Sequence, residues 1–227
     1  MQMTQLKLHG DLSYCKVDGH LIFLDIQNDR YFRLTQCLES SLVTYLDDGD
    51  CPESDMRRLI ERKILIDGPS DLDHTPPSLT AIPMRSAMEE TIAPKQASVR
   101  AILDTLTIVC STQLQLKTRS LKQVLDKLVS DRGKRPAQHS MPADRELHLL
   151  DAAAAFRSAR LYVPIDTCCL LDSIAMVRFL AKRELHANLV FGITADPFSA
   201  HCWAQHGAVV LNDALGHALA HAPIKVI

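Results

Sequence analysis

The chain reads as an α+β protein in two parts, on three observations. Residues 12 to 34 hold three short apolar segments parted by turn sequences, and helical periodicity follows them. Residues 98 to 184 carry helical periodicity first, with β-like segments after it. Between the two lies a stretch, 69–97, with Pro69, Pro76, Pro77, Pro83 and Pro94 among Ser, Thr and Asp, a composition that resists helices and central strands. Two small domains, 1–68 and 98–227, joined by a linker, are the expected organisation. At 227 residues each part is long enough to bury a core.

The bulk numbers exclude several function classes. With 25 Lys plus Arg against 27 Asp plus Glu, the net charge is -2, and no basic surface for nucleic acid is expected. There is no apolar run of about 18 residues and no basic-then-apolar leader, so a cytoplasmic protein without a membrane span is expected. The 7 cysteines are an odd number without a disulfide-framework spacing and read as reduced thiols. No Cys-x-x-Cys pair occurs. A site built from Cys168 or Cys169, His201 and Cys202 lacks turn-like ligand spacing, so neither metal nor cofactor is expected.

In chain order, Leu12–Val17 leads through Asp18-Gly19, a hairpin-turn dipeptide, into His20–Ile26, and Gln27-Asn28-Asp29 turns the chain into Arg30–Leu34. This predicts a three-stranded antiparallel meander with both faces apolar. Thr35 is placed to cap a helix carrying Leu38, Leu42, Val43, Tyr45 and Leu46 on one stripe. A second helix is predicted over Glu53–Lys63, with Met56, Leu59 and Ile60 inward, closing on Ile64–Gly68.

Leu24-Asp25-Ile26 followed by Asp29–Leu34 and a short helical tail resembles the RiPP precursor-peptide recognition element, a small winged-helix-like module. The resemblance implies capture of a leader peptide as an added strand on the sheet edge, in a groove shared with a helix. The matching residues are Arg30, Tyr31, Phe32, Arg33 and Leu34 of the last strand and Met56, Leu59 and Ile60 of the helix.

The second part opens with apolar residues at helical spacing over 98–116 and 120–130. A polar loop, 131–142, precedes a helix capped by Asp144 and running from Arg145 to about Leu161. Pro164 ends it, and the next helix is expected from Thr167 to about Glu184. Strands at Ala187–Thr194, His201–Gln205 and Ala208–Leu211 complete an antiparallel sheet.

Within this part stand a cysteine pair, a histidine and an aspartate in the order nucleophile, base and orienter. Asp166-Thr167 offer caps at a helix start, where unpaired N–H groups and the helix dipole favour thiolate. Helical stepping places Cys169 with Ser173, Met176 and Leu180 and places Cys168 with Asp172, Ala175 and Phe179, which leaves the choice between the two thiols open.

Cys169-Leu170, Ser173, Leu189–Ile193, Pro197-Phe198, Ala200-His201-Cys202-Trp203 and Leu211-Asn212-Asp213, in that order, resemble the lasso-peptide leader peptidases. These B-type proteins have a transglutaminase-like (papain-like) α+β cysteine peptidase domain, in many members fused behind a recognition element. The resemblance implies Cys169 as nucleophile, His201 as base and Asp213 as orienting acid. It also implies a lasso precursor as substrate and an asparagine-synthetase-like cyclase as partner. Cys202, Ala204 and Gln205 depart from the family pattern, which commonly has Ala, Val and Glu there. Acyl transfer to an amine, or precursor presentation without catalysis, are the competing functions.

Overall fold

A computed structural model describes residues 6–68, 81–90, 97–133 and 142–227. The chain divides into two compact units, Met1–Ser78 and Leu79–Ile227.

The first unit contains β1 (Leu6–Leu8), β2 (Leu12–Val17), β3 (His20–Asp25), β4 (Arg30–Arg33), α1 (Gln36–Asp48), α2 (Glu53–Glu61) and β5 (Leu65–Asp67). The expected meander is present as an antiparallel sheet in the order β2-β3-β4, which leaves β4 at one edge. Its first turn has φ of 50° at Asp18 and 82° at Gly19, the left-handed pair that a two-residue hairpin requires and that Asp-Gly tolerates. Leu21 and Phe23 face a core with Leu34, Leu38, Leu42, Leu59, Ile64 and Leu65, while Ile22 and Leu24 are buried as well. Phe32 stacks on Phe23 with ring centroids 5.1 Å apart.

Two details differ from expectation. Thr35 occupies the N-cap position of α1, but its hydroxyl makes no capping bond. β1 and β5 pair in a separate antiparallel ribbon, Leu6 opposite Asp67, and three-residue strands are too short to register as periodicity. The Tyr45 hydroxyl anchors that ribbon to α1, accepting from the Leu6 N–H at 3.1 Å and donating to the Leu6 carbonyl at 3.0 Å.

The second unit contains β6 (Arg85–Ser86), α3 (Val99–Thr118), α4 (Leu121–Gly133), α5 (Pro142–Arg160), α6 (Cys169–Ala181), β7 (Asn188–Thr194), β8 (Ser199–His206), β9 (Val209–Val210), α7 (Leu215–Leu219) and β10 (Ala222–Val226). α6 packs between α3 and α5 on one side and β8 on the other. That position explains why nearly every residue from Leu171 to Leu180 is buried. Among the described residues no helix is long and apolar enough to cross a membrane.

The sheet runs β10-β7-β8-β9-β6 and is antiparallel except where β6 joins β9 in parallel. The fully antiparallel sheet read from the sequence therefore needs correction. β6 comes from the Pro-rich stretch, and its neighbours bond to the β8–β9 hairpin: Met84 N–H to the Ala208 carbonyl at 2.8 Å, Ala87 N–H to the Val210 carbonyl at 2.8 Å. Two helix starts also move. α5 begins at Pro142, ahead of the expected Asp144 cap, and α6 begins at Cys169 rather than Thr167.

Candidate active site

Helix α6 delivers the thiol. Cys168 is its N-cap, with φ of -142°, so Cys169 is the first residue with helical geometry and only Cys169 starts the turn. Four first-turn N–H groups of a helix lack internal acceptors. Here Asp172 reaches back so that its Oδ2 accepts from the Cys168 N–H at 3.2 Å. The other carboxylate oxygen accepts from Arg160 Nε at 2.6 Å. The remaining Arg160 nitrogens donate to the carbonyls of Val163, Ile165 and Asp166 at 3.3, 2.9 and 3.1 Å. A buried guanidinium thus staples the loop after α5 to the start of α6, and it fixes where the thiol sits. Nothing in the periodicity signalled this pair, because its members lie on either side of a helix break.

The Cys169 thiol is held below its ordinary range, first by its hydrogen bond with His201, against the opposing effect of burial. The backbone N–H groups of Leu170 and Cys202 add to the same effect. His201 lies on β8 opposite Gly192 of β7. A Cβ at Gly192 would stand 2.7 Å from the Trp203 ring and 2.9 Å from the His221 Cβ, so only glycine lets the strands bring these rings together. His201 Nε2 is 2.5 Å from Asp213 Oδ2, which turns Nδ1 toward the thiol. The hydrogen bond to Asp213, then that to Cys169, pushes the imidazole up to about 9. The imidazole therefore holds its proton at neutral pH, and the neighbouring thiol is shifted toward thiolate.

Asp213 stands three residues beyond β9, just ahead of α7. Its position is nevertheless fixed. The Ser86 hydroxyl donates to its carbonyl at 2.5 Å, and its own Oδ1 accepts from the Ala214 N–H at 2.8 Å. Burial alone would raise this carboxyl, but the hydrogen bonds from His201, His217 and Ala214 outweigh it and hold the group below the usual carboxylate range. Next to it, Asn212 accepts from the Ala204 N–H at 2.7 Å and donates to Ser173 Oγ at 2.9 Å, and Ser173 donates to the Cys202 carbonyl at 3.0 Å. One amide and one hydroxyl so lock together the loop of Asp213, the strand of His201 and the helix of Cys169. Arg157 adds a further tie, donating to the carbonyls of Leu211 and Ala87 at 2.7 and 2.8 Å.

Residues 108–225, just over half of the chain's 227, match the family model of the transglutaminase-like superfamily. The chain belongs to the transglutaminase-like superfamily. The match spans α6, β8 and the Asp213 loop, and so contains Cys169, His201 and Asp213. A 46-residue stretch is also 44% identical to the "Microcin J25-processing protein McjB" of Escherichia coli. That match covers 20% of this chain and 22% of the relative, so it spans about a fifth of the length of each. No solved structure matches the chain.

One departure within this transglutaminase-like domain has a local cause. Gln205 Oε1 accepts from the Trp203 indole at 2.9 Å, and its Nε2 donates to the carbonyls of Ala81 and Gly207 at 2.6 and 2.8 Å. A glutamate has no donor for those carbonyls, so the amide is what lets segment 81–87 lie along β8 and β9.

In the first unit, Arg30, Tyr31, Phe32 and Arg33 form the edge strand β4, with Leu34 just beyond it and buried. Arg30 Nε pairs with Asp25 Oδ2 at 3.1 Å. Leu59 is fully buried and Met56 packs against the core, whereas Ile60 is 43% exposed. A cavity of about 370 Å³ is lined by Arg30 and Phe32 of β4 and by Arg62 and Lys63 after α2, among others.

Proposed function

We propose that this protein is a leader peptidase of lasso-peptide maturation. The observation that carries the reading is the continuous hydrogen-bonded line from the Cys169 thiol through His201 to Asp213, on a transglutaminase-like scaffold. The similarity to a microcin-processing protein supplies the substrate class.

The first unit binds the leader. An extended peptide joins the outer edge of β4 as a fourth strand, with specificity from side chains at Met56 and Ile60 of α2. Tethering the leader raises the local concentration of the scissile bond at the second unit. The Cys169 thiolate attacks the carbonyl at the leader–core junction, and the N–H of Cys169 at the head of α6 is one donor to the oxyanion. The His201 imidazolium gives its proton to the departing amine. His201 then takes a proton from water, which attacks the thioester and frees the leader carboxylate and the thiol. Asp213 keeps the imidazole oriented and stabilises its charge throughout. The liberated core amine is the substrate of an asparagine-synthetase-like cyclase in the same cytoplasm.

Mass spectrometry of a lasso precursor incubated with the protein tests this. Two fragments differing from the precursor by one water are expected. A product joined to an added amine would mean acyl transfer, and unaltered precursor bound by the protein would mean a presenting role. Fluorescence polarisation with labelled leader tests the binding unit: Ile60→Glu, at an exposed position, is expected to weaken binding without unfolding the chain.

A further inference from the structure

The surroundings of Asp213 offer more ligand atoms than a triad uses. His217 sits on α7, one helical turn past the aspartate, with Nδ1 3.1 Å from Asp213 Oδ2. Its ring centroid is 4.2 Å from that of His201, and its side chain is 52% exposed. Among the described residues, the partners of the Asp213 carboxylate are these two imidazoles and the Ala214 N–H, with no lysine or arginine competing for it. One nitrogen from each histidine and a carboxylate oxygen lie within 4.8 Å of one another.

A second observation comes from His221. It is 5% exposed, its Nε2 has no hydrogen-bond partner among the described residues, and its ring lies 5.0 Å from His217 and 5.1 Å from His201. Its Nδ1 is 2.8 Å from the His217 carbonyl, which steadies the short helix that presents His217. A third imidazole with a spare nitrogen therefore adjoins the cluster.

We propose that His201, Asp213 and His217 form a binding site for a divalent cation of the zinc type, and that filling it silences the triad. Zinc holds nitrogen and oxygen ligands at about 2.0–2.2 Å, which sets tetrahedral ligand atoms about 3.4 Å apart. The present separations, 2.5 and 3.1 Å from Asp213 Oδ2 to the two imidazole nitrogens and none above 4.8 Å, bracket that spacing. Two imidazoles and one carboxylate suit zinc, cobalt or nickel ions, whereas magnesium and calcium prefer oxygen alone. The exposed edge of His217 gives the ion a way in, and water completes the coordination.

The balance of protons explains the silencing. The ion takes the lone pairs of His201 Nε2 and His217 Nδ1, and the protons those nitrogens carried go to solvent. The carboxylate exchanges two hydrogen bonds for a bond to the ion. His201, with its Nε2 lone pair on the ion, gives up its hydrogen bond to Asp213 and can no longer pass a proton between the Cys169 thiol and the departing amine. This silencing rests on the peptidase reading; the binding of the ion does not.

The test is a titration of the full chain with Co²⁺ as the spectroscopic stand-in for zinc, followed in the visible spectrum. We expect one ion per chain, binding weakened at least about tenfold in His217→Gln, and binding unchanged in Cys169→Ala. Circular dichroism checks that the His217→Gln chain is folded, and His217→Asn replaces it if it is not. Equal affinity in the parent and His217-substituted chains overturns the proposal. So does a sulfur-to-cobalt charge-transfer band that disappears together with binding in Cys169→Ala, since that places the ion on the thiol and on the opposite edge of His201. No peptide enters the titration, so a failure of the peptidase reading leaves its result intact.

Discussion

The two units bury polar groups to different ends. In the first, the buried acids act close to home: Glu39 accepts from the Leu21 N–H at 2.9 Å, and Asp55 accepts from the Ser41 hydroxyl at 2.7 Å, each joining a helix to its neighbour around an apolar centre. In the second, Arg157, Ser173, Gln205 and Asn212 bond to segments distant in sequence, and Arg160 ties the loop after α5 to Asp172 on α6, so that the elements bearing Cys169, His201 and Asp213 are fixed to one another. The first pattern holds a shape. The second holds three side chains at fixed separations, which chemistry demands and binding by strand addition does not.

Substitutions that separate these two kinds of work sharpen the contrast. Cys169→Ala is expected to reduce precursor cleavage by about 10⁴-fold or more while leaving leader affinity intact, whereas Cys168→Ala retains activity; kinetics of both variants with the same precursor check it. A dead Cys168→Ala beside an active Cys169→Ala would reverse the assignment. Asp213→Asn is expected to cost roughly 10³–10⁴-fold. Its pH profile carries the sharper signature. In the parent chain, activity is expected to rise through the lowered pKa of Cys169 and to fall as His201 loses its proton at about pH 9, with the imidazolium as the proposed proton donor. Without the carboxylate the imidazolium is less stable, so the alkaline limb moves to lower pH and the thiol titrates higher.

Arg160→Met removes the guanidinium, leaves Asp172 without its cation and takes a donor from three carbonyls. A loss of about 3–5 kcal/mol in urea unfolding is expected, together with slower cleavage. Tyr45→Phe in the first unit is the mild counterpart. It unties Leu6 and is expected to cost about 1–2 kcal/mol, with no change in hydrolysis of a leaderless peptide. A large effect of Tyr45→Phe on that hydrolysis would break the division of labour between the units.

Legibility in the sequence followed the range of the interaction. The β2–β3 hairpin was legible from Asp18-Gly19 because a positive φ at two successive residues restricts composition locally. Helices α1 to α6 announced themselves through periodicity, and so did the starts of α1 and α2, but not those of α5 and α6: at α6 the Asp172 carboxylate, inside the helix, accepts from the Cys168 N–H where Asp166 or Thr167 was expected to cap. Short elements such as β6, α7 and β10 had no such signal. The choice between the two thiols was hidden for a different reason. Both faces compared are buried, Ala175 and Phe179 as fully as Ser173, Met176 and Leu180, since α6 is enclosed by helices and sheet together. His217 did have a trace, its spacing of four from Asp213, but a five-residue helix interrupted by Gly216 gives that spacing no helical context.

The Ser86 tie has a consequence for how such a chain can be taken apart. Asp213 is held by a hydroxyl lying 127 residues earlier, on a strand drawn from what reads as spacer. A gene split at residue 98 would leave β9 as a bare edge open to pairing with other chains, and would release Asp213 from its outer anchor. A breakpoint ahead of Ala81 would keep the strand, the Gln205 contact and the anchor together. Stand-alone catalytic halves descended from such a fusion are therefore expected to begin with this short segment, before any of their helices.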